Sequence, residues 1–268
     1  MVYKLIAMDL DGTLNNDRKT IDAPTLRALM SAQEGGIRLL LASARPLPGL
    51  YRERDALELT SHRGILMAYN GGMLVEAGTG DVLASTAMDM SQAKDVLREL
   101  AALPVTSILD DGRVFYVTDK NGYKVDYECR NNRMSCVEVA DLAESLTFAP
   151  CKILMSVEPS EIRDVQGRIA ARLPEALTVV QTAPFYLEVI PKAINKGVGL
   201  RLACEALGIG MAETIAFGDS ENDIEMLRAA GVGVAMGNAE EDVKRAADMV
   251  TASNNDNGIA EALGELLK

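Results

Sequence analysis

Histidine is nearly absent from this sequence, whose 268 residues include only His62. Zinc sites of the HExxH type and sites built on paired histidines are therefore excluded. A Ser-His-Asp or Cys-His nucleophile would have to use His62, and the G-x-S-x-G turn that often carries such a serine does not occur. Catalysis by a histidine-activated nucleophile is accordingly disfavoured.

Cysteine pairs and long apolar runs are also lacking. The four cysteines form no C-x-x-C pair, so we predict buried free thiols in a reducing compartment, at Cys129, Cys136, Cys151 and Cys204. No apolar stretch reaches membrane-spanning length, and the first apolar run meets Asp9 too early for a signal peptide. We therefore expect a cytoplasmic protein with no membrane partner.

Basic residues are fewer than acidic ones: the sequence has 27 basic and 39 acidic residues, which gives a net charge of −12. Such a surface repels nucleic-acid backbones and anionic lipids, so general binding to either is not expected. A small phosphorylated ligand is still compatible with this charge, since one basic pocket can lie inside an acidic protein. The sequence does not indicate an oligomeric state.

The chain alternates strand-like and helix-like segments at both ends, which predicts an α/β fold with a parallel sheet. Near-continuous apolar runs such as 37–42 are typical of strands buried on both faces. The middle instead contains hairpin patterns and two amphipathic helices. We therefore predict a discontinuous core domain of residues 1–85 and 189–268, interrupted by an inserted α+β domain of residues 86–188.

Acidic side chains follow two of the predicted strands. Asp9 and Asp11 come directly after the first strand, and Asp219 and Asp223 follow the strand at 214–217. Open α/β sheets bind ligands at the carboxyl ends of their strands, so these acids are expected to lie together. Two like charges about 4 Å apart cost roughly 4 kcal/mol at an effective dielectric constant of about 20. Such a group of oxygen ligands favours a hard cation, Mg²⁺ before Ca²⁺ or Mn²⁺.

Taken singly, these motifs have simpler interpretations. A D-x-D-G segment is often a surface turn, Ser43 is compatible with a helix cap, and an isolated Lys196 is usually a solvated lysine. The glycines of 231–237 begin a strand rather than follow the first one, which argues against a dinucleotide-binding loop. No Walker sequence occurs either. The joint spacing of the motifs at strand ends makes coincidence a poor explanation.

Four motifs appear in an order that resembles the haloacid dehalogenase superfamily. They are DLDGTL at 9–14, SARP at 43–46, NKG at 195–197 and GDSEND at 218–223. The chain is most similar to the Cof-type phosphatases, in which a large α/β cap is inserted between the second and third motifs. The segment YNGG at 69–72 and YLEV at 186–189 extend the similarity over essentially the whole chain. The resemblance implies a Rossmann-like parallel-sheet core with an inserted α+β cap.

The resemblance also implies roles for the acids. Asp9 would be the nucleophile that forms an aspartyl-phosphate, and Asp11 would be the general acid and base. Mg²⁺ would be held by Asp9, the backbone carbonyl of Asp11, and Asp219, with Asp223 supporting these ligands. Phosphate-binding groups would come from Leu10, Ser43, Ala44, Lys196 and Asn222. Relatives commonly have glycine where this chain has Ala44, which leaves the amide contact at that position open.

The implied activity is a Mg²⁺-dependent phosphatase for small phosphorylated metabolites, with sugar phosphates favoured. Substrate contacts are predicted at Arg45 and, in the cap, at Lys152, Tyr186 and Glu188. Two alternatives remain open at this point. One is a phosphotransferase or phosphomutase that uses the same chemistry, and the other is a regulatory protein that binds phosphate without turnover.

Overall fold

The computed structural model describes residues 2–268, which form two compact units. The first unit contains the chain up to Ser85 together with Asn195–Lys268, and the second unit is Thr86–Ile194. The sequence-based boundary at 188/189 falls inside a strand that runs from Tyr186 to Pro191. That strand is hydrogen-bonded on both sides to strands of the second unit, so residues 189–194 belong with that unit.

The N-terminal segment of the first unit begins with a strand–helix alternation and ends in two antiparallel strands. Its first elements are β1 (Leu5–Asp9), α1 (Ala23–Glu34), β2 (Arg38–Ala42), α2 (Tyr51–Ala56), β3 (Ile65–Ala68), β4 (Met73–Glu76) and β5 (Val82–Ser85). Pro24 lies in the first turn of α1, where its missing N–H has no partner to lose. All five residues of β1 are buried, as expected for a central strand.

The second unit is built on one six-stranded sheet. Its elements are α3 (Met90–Leu100), β6 (Thr106–Asp110), β7 (Phe115–Val117), α4 (Val125–Asn132), β8 (Cys136–Glu138), α5 (Leu142–Ser145), β9 (Ile153–Ser156), α6 (Ile162–Ala170), β10 (Leu177–Ala183) and β11 (Tyr186–Pro191). The strand order is β10-β11-β9-β6-β7-β8, and only the β7–β8 pair is parallel. The two helices expected from the sequence are α3 and α6, whereas the short α4, α5 and β8 were not anticipated.

The chain then returns to the first unit and completes its sheet. The added elements are α7 (Lys196–Leu207), β12 (Thr214–Gly218), α8 (Ile224–Ala229), β13 (Val232–Ala235), α9 (Glu241–Ala246), β14 (Met249–Val250) and α10 (Gly258–Leu266). The eight strands lie in the order β14-β13-β12-β1-β2-β3-β4-β5, with β14 through β3 parallel. The predicted α/β fold with a parallel-sheet core is confirmed.

Apolar clusters cover both faces of the parallel sheet, because alternate residues of each strand point to opposite sides. Ile6 and Met8 of β1 pack in one cluster, and Leu5 and Ala7 pack in the other. Parallel pairing places β1 between β2 and β12, so the residues that follow these three strands lie at one edge of the sheet. No helix within residues 2–268 combines the length and the apolar character needed to cross a bilayer.

Candidate active site

The acids at the ends of β1 and β12 lie together in the first unit. The register pairs Met8 with Phe217, so Asp9 ends one strand beside Gly218, and Asp219 follows immediately. One carboxylate oxygen from each of Asp9, Asp219 and Asp223 lies within 4.8 Å of the others. Residues separated by about two hundred positions are thus brought to one point by parallel strand pairing.

Lys196 is the positive centre of this group. Its side chain is fully buried, with Nζ 2.5 Å from Asp9 Oδ1 and 2.6 Å from Asp223 Oδ1. Burial alone would lower the pKa of Lys196, but the carboxylates of Asp223 and Asp9 outweigh it and raise that pKa. Asn195 caps α7 by accepting the N–H of Val198 at 2.8 Å, which fixes the start of the helix that carries the lysine.

Asp9 is buried, with 8% of the residue exposed. Burial raises its pKa to about 8; Lys196 opposes this change and Asp223 adds to it. Asp223 is fully buried, and its Oδ2 accepts the backbone N–H groups of Asp219 and Ser220 at 3.0 Å each. Asp223 therefore holds the loop that carries Asp219 as well as pairing with Lys196.

The donor set fits a hard divalent cation. Three clustered carboxyl groups outnumber the single ammonium of Lys196, and the predicted ligands are all oxygens, which Mg²⁺ prefers. Asp219 is oriented by Thr13, whose hydroxyl donates to Oδ1 at 2.7 Å. Gly12 has a φ of +89°, and a Cβ at that position would collide with Asp219 Oδ2. The loop after β1 is therefore shaped around the Asp219 carboxylate. Sequence reasoning missed this role of Thr13, although the residue lies inside the first motif.

Asp11 is bound by two cations. Arg45 donates from Nε at 3.0 Å and from Nη2 at 2.6 Å to Asp11 Oδ2, and Lys19 Nζ is 2.7 Å from Oδ1. Burial would raise the pKa of Asp11, but Arg45 and Lys19 outweigh it and lower that pKa. Arg45, predicted as a substrate contact, thus pairs with the predicted general acid in this structure. Lys19 was not anticipated as a partner of Asp11.

Apart from Lys196, which begins α7, the predicted phosphate-binding residues follow β1, β2 and β12. Asp9 pairs with Ala42 across β1 and β2, which places Leu10 and Ser43 directly beyond the paired ends. Ser43 Oγ accepts the N–H of Arg45 at 3.2 Å. The φ angle of Ala44 is not positive, so an alanine at this position carries no left-handed strain. Asn222 is exposed and donates from Nδ2 to Asn70 Oδ1 at 3.0 Å.

The remaining predicted substrate contacts lie in the second unit and have partners there. Lys152 and Glu188 form a buried ion pair, with Nζ 2.7 Å from Oε1. Burial would lower the pKa of Lys152, yet Glu188 and then Glu128 raise it. Tyr186 donates its hydroxyl to the carbonyl of Lys124 at 2.8 Å. Contact of these side chains with a substrate stays a prediction.

A family model described as haloacid dehalogenase-like hydrolase matches residues 6–263. The chain belongs to this family. It is 30% identical to the 5-amino-6-(5-phospho-D-ribitylamino)uracil phosphatase YitU of Bacillus subtilis, over 97% of this chain and 96% of that protein. The family assignment together with phosphatase relatives of this kind identifies the chain as a phosphatase of the haloacid dehalogenase-like hydrolases.

Solved structures agree with this membership of the haloacid dehalogenase-like hydrolases. A haloacid dehalogenase-like hydrolase from Bacteroides thetaiotaomicron superposes with a TM-score of 0.93 at 32% identity, over 98% of this chain and 99% of that one. A subclass IIB sugar phosphatase of the same superfamily superposes with a TM-score of 0.77 at 25% identity, over 98% of each chain.

The collision at Gly12 leads to a first prediction. Replacing Gly12 by Ala is expected to lower phosphate release by about 100-fold, because the new methyl group displaces the Asp219 carboxylate. Gly80→Ala is a matched control: Gly80 also has a positive φ, of +78°, but no atom lies within 4 Å of the place that its methyl group would take. Both variants should lose about 1 kcal/mol or more of stability in thermal unfolding, because alanine is strained at a positive φ, and Gly12→Ala should lose more because of the collision. Equal activity of the two would contradict the predicted role of the Asp219 orientation.

Proposed function

We propose that this enzyme is a Mg²⁺-dependent phosphatase that hydrolyses small phosphorylated metabolites, with sugar phosphates as the favoured class, through an aspartyl-phosphate. The observation that carries the proposal is the convergence of Asp9, Asp219 and Asp223 around a fully buried Lys196. An acidic cluster with one lysine at the end of a parallel sheet suits a phosphoryl group accompanied by a metal ion.

In this proposal Asp9 is the nucleophile. Lys196 binds Oδ1 of Asp9, which leaves Oδ2 to attack phosphorus. The new oxygen–phosphorus bond replaces the bond to the alcohol, and Asp11 supplies the proton that the departing alcohol takes up. A water molecule then attacks phosphorus, Asp11 accepts its proton, and inorganic phosphate leaves while the Asp9 carboxylate is restored. Lys196, Ser43, Asn222 and the amides of Leu10 and Ala44 stabilise the charge on the phosphoryl oxygens.

The metal has a defined place in the proposal. Asp9, Asp219 and the backbone carbonyl of Asp11 would hold it, and Asp223 would keep the Asp219 loop in position. Bound Mg²⁺ would neutralise the negative charge that the phosphoryl group brings to a site already rich in carboxylates.

The pairing of Asp11 with Arg45 affects the ability of Asp11 to act as a general acid. The ion pair of Asp11 with Arg45 and Lys19 stabilises the ionised carboxylate, which is the wrong form for donating a proton to a leaving alcohol. Asp11 must therefore exchange at least part of this pairing for contact with the substrate before the first step.

Two kinds of relative support the substrate class. One similar structure is a sugar phosphatase, and the YitU relative acts on a compound whose phosphate is carried by a ribityl chain. Both descriptions involve a phosphomonoester on a polyhydroxylated carbon chain. We assign selection of the leaving group to the inserted unit, as the resemblance to Cof-type phosphatases implies.

A phosphate-release screen tests the proposal. Sugar phosphates, nucleotides and cofactor phosphates are each incubated with the enzyme, with Mg²⁺ and with chelator. We expect release to fall by at least about 100-fold in chelator and to be fastest with sugar phosphates. Transfer of the phosphoryl group to an added alcohol or bisphosphate would instead indicate a phosphotransferase or mutase. No release with any compound in Mg²⁺ would favour a regulatory phosphate-binding protein.

A further inference from the structure

The turn Tyr69–Gly71 after β3 has an unusual backbone. Tyr69, Asn70 and Gly71 have φ values of 53°, 55° and 100°, so three consecutive residues lie in the left-handed region. Only glycine adopts that region without steric cost, although asparagine tolerates it better than most residues. Strain of this kind persists only where the surrounding structure imposes it, and it is frequent at functional sites.

The turn is tied to two segments of the candidate site. The N–H of Tyr69 donates to the carbonyl of Arg45 at 3.0 Å, and the N–H of Asn70 donates to the carbonyl of Ser43 at 2.8 Å. A methyl group on Gly71 would lie 2.6 Å from the carbonyl oxygen of Asn195, the residue before Lys196. The turn thus packs between the loop after β2 and the start of α7.

The side chain of Asn70 reaches a third segment. Asn70 Oδ1 accepts a hydrogen bond from Asn222 Nδ2 at 3.0 Å, across 152 positions of sequence. Within residues 2–268, this is the one hydrogen bond of the Asn222 side chain, which is otherwise exposed. The bond fixes the plane of the Asn222 amide directly beside Asp223.

We propose that Asn70 is a positioning residue for phosphate binding, which acts by orienting the amide of Asn222. The inference rests on the proposed function, because it assumes that Asn222 donates to a phosphoryl oxygen. Glycine would relieve the left-handed strain at position 70 but could not hold Asn222. The side chain at this position therefore serves the neighbouring amide rather than the turn.

Asn70→Gly separates these two roles, since it removes the amide and keeps the backbone conformation. We expect an unfolding midpoint close to that of the original enzyme, because relief of the left-handed strain offsets the lost hydrogen bond. We expect an affinity for inorganic phosphate about ten-fold weaker in calorimetric titration with Mg²⁺ present. Glu58→Gly is the matched control: Glu58 is exposed, has a φ of 50°, and follows α2. It should leave phosphate affinity unchanged.

A double-mutant cycle with Asn222→Ala decides whether Asn70 acts through Asn222. We expect Asn222→Ala to weaken phosphate binding by a similar factor and Asn70→Gly to add nothing in that background. Unchanged phosphate affinity in Asn70→Gly, or losses that multiply in the double variant, would each overturn the inference. Failure of the proposed function would appear separately, as absence of phosphate release by the unaltered enzyme, while phosphate binding could still be titrated.

Discussion

Asp9→Asn is expected to abolish phosphate release, with turnover at least about 10⁴-fold lower than that of the unaltered enzyme. The amide is a poor nucleophile and cannot form the acyl-phosphate. The residue has nearly the same size as aspartate, and Lys196 keeps a second buried partner in Asp223, so the fold should survive. Steady-state phosphate release in saturating Mg²⁺ measures the effect.

Asp17→Asn is the control for this variant. Asp17 lies in the segment between β1 and α1, is exposed, and contributes only its backbone N–H to the hydrogen bond with Asn255. Asp17→Asn replaces one aspartate by asparagine, as Asp9→Asn does, and the variant should retain full activity. Activity of Asp9→Asn comparable with that of Asp17→Asn would exclude Asp9 as the nucleophile.

Asp9→Asn also affects stability when a chelator has removed the metal. The pKa of Asp9 rises from 3.8 to about 8 on folding, so the folded protein binds more protons than the unfolded chain between these values. The contribution of Asp9 to the free energy of unfolding of the metal-free enzyme therefore falls as pH rises from about 4 to about 8. Asp9→Asn has no such proton to release, so its stability should fall less steeply over this window. Some slope remains, because burial also raises the pKa of Asp219. Parallel curves for the two proteins would contradict the high pKa of Asp9.

Lys196→Met is expected to cost about 3–5 kcal/mol of stability, because it leaves the buried carboxylates of Asp9 and Asp223 without their shared cation. The melting temperature should fall by about 10 °C, and phosphate release should be lost as well. Lys192→Met, which removes an exposed lysine four positions earlier, should change neither property.

Two further measurements identify unpaired charge as the cause of the instability. Adding Asp9→Asn to Lys196→Met should restore part of the lost stability without restoring activity, since one buried charge is removed. Mg²⁺ should raise the melting temperature of Lys196→Met more than that of the unaltered enzyme, because the ion takes over charge that the lysine had balanced. If neither addition has an effect, the loss comes from packing rather than from electrostatics.

Much of the fold was predictable because its signals are local. Near-continuous apolar runs identified the buried parallel strands, and acids directly after two of them predicted the edge of the sheet at which Asp9, Asp219 and Asp223 cluster. The second unit was harder to predict. Its short α4, α5 and β8 lack a long hydrophobic period, and the 188/189 boundary was wrong because pairing by β9 and β10 extends β11 to Pro191.

The candidate site was also predictable only in part. The identities of Asp9, Asp11, Lys196 and Asp219 as site candidates followed from motif order. The hydrogen-bond and ion-pair partners of these side chains could not be predicted, because the local sequence around a residue does not indicate which distant side chains it contacts. The pairing of Arg45 with Asp11 was not predicted, and neither was the orientation of Asp219 by Thr13, although Thr13 lies inside the first motif.

The sequence by itself determined which strands are buried, and therefore at which edge of the sheet the acids accumulate, since strand burial depends on local apolar pattern. Only the tertiary structure decided how the resulting charge is balanced. Lys196 joins Asp9 and Asp223 across 187 and 27 positions, and Asn70 meets Asn222 across 152. Such pairings depend on the three-dimensional register of the strands and on the close approach of the turns, which no single stretch of the chain encodes.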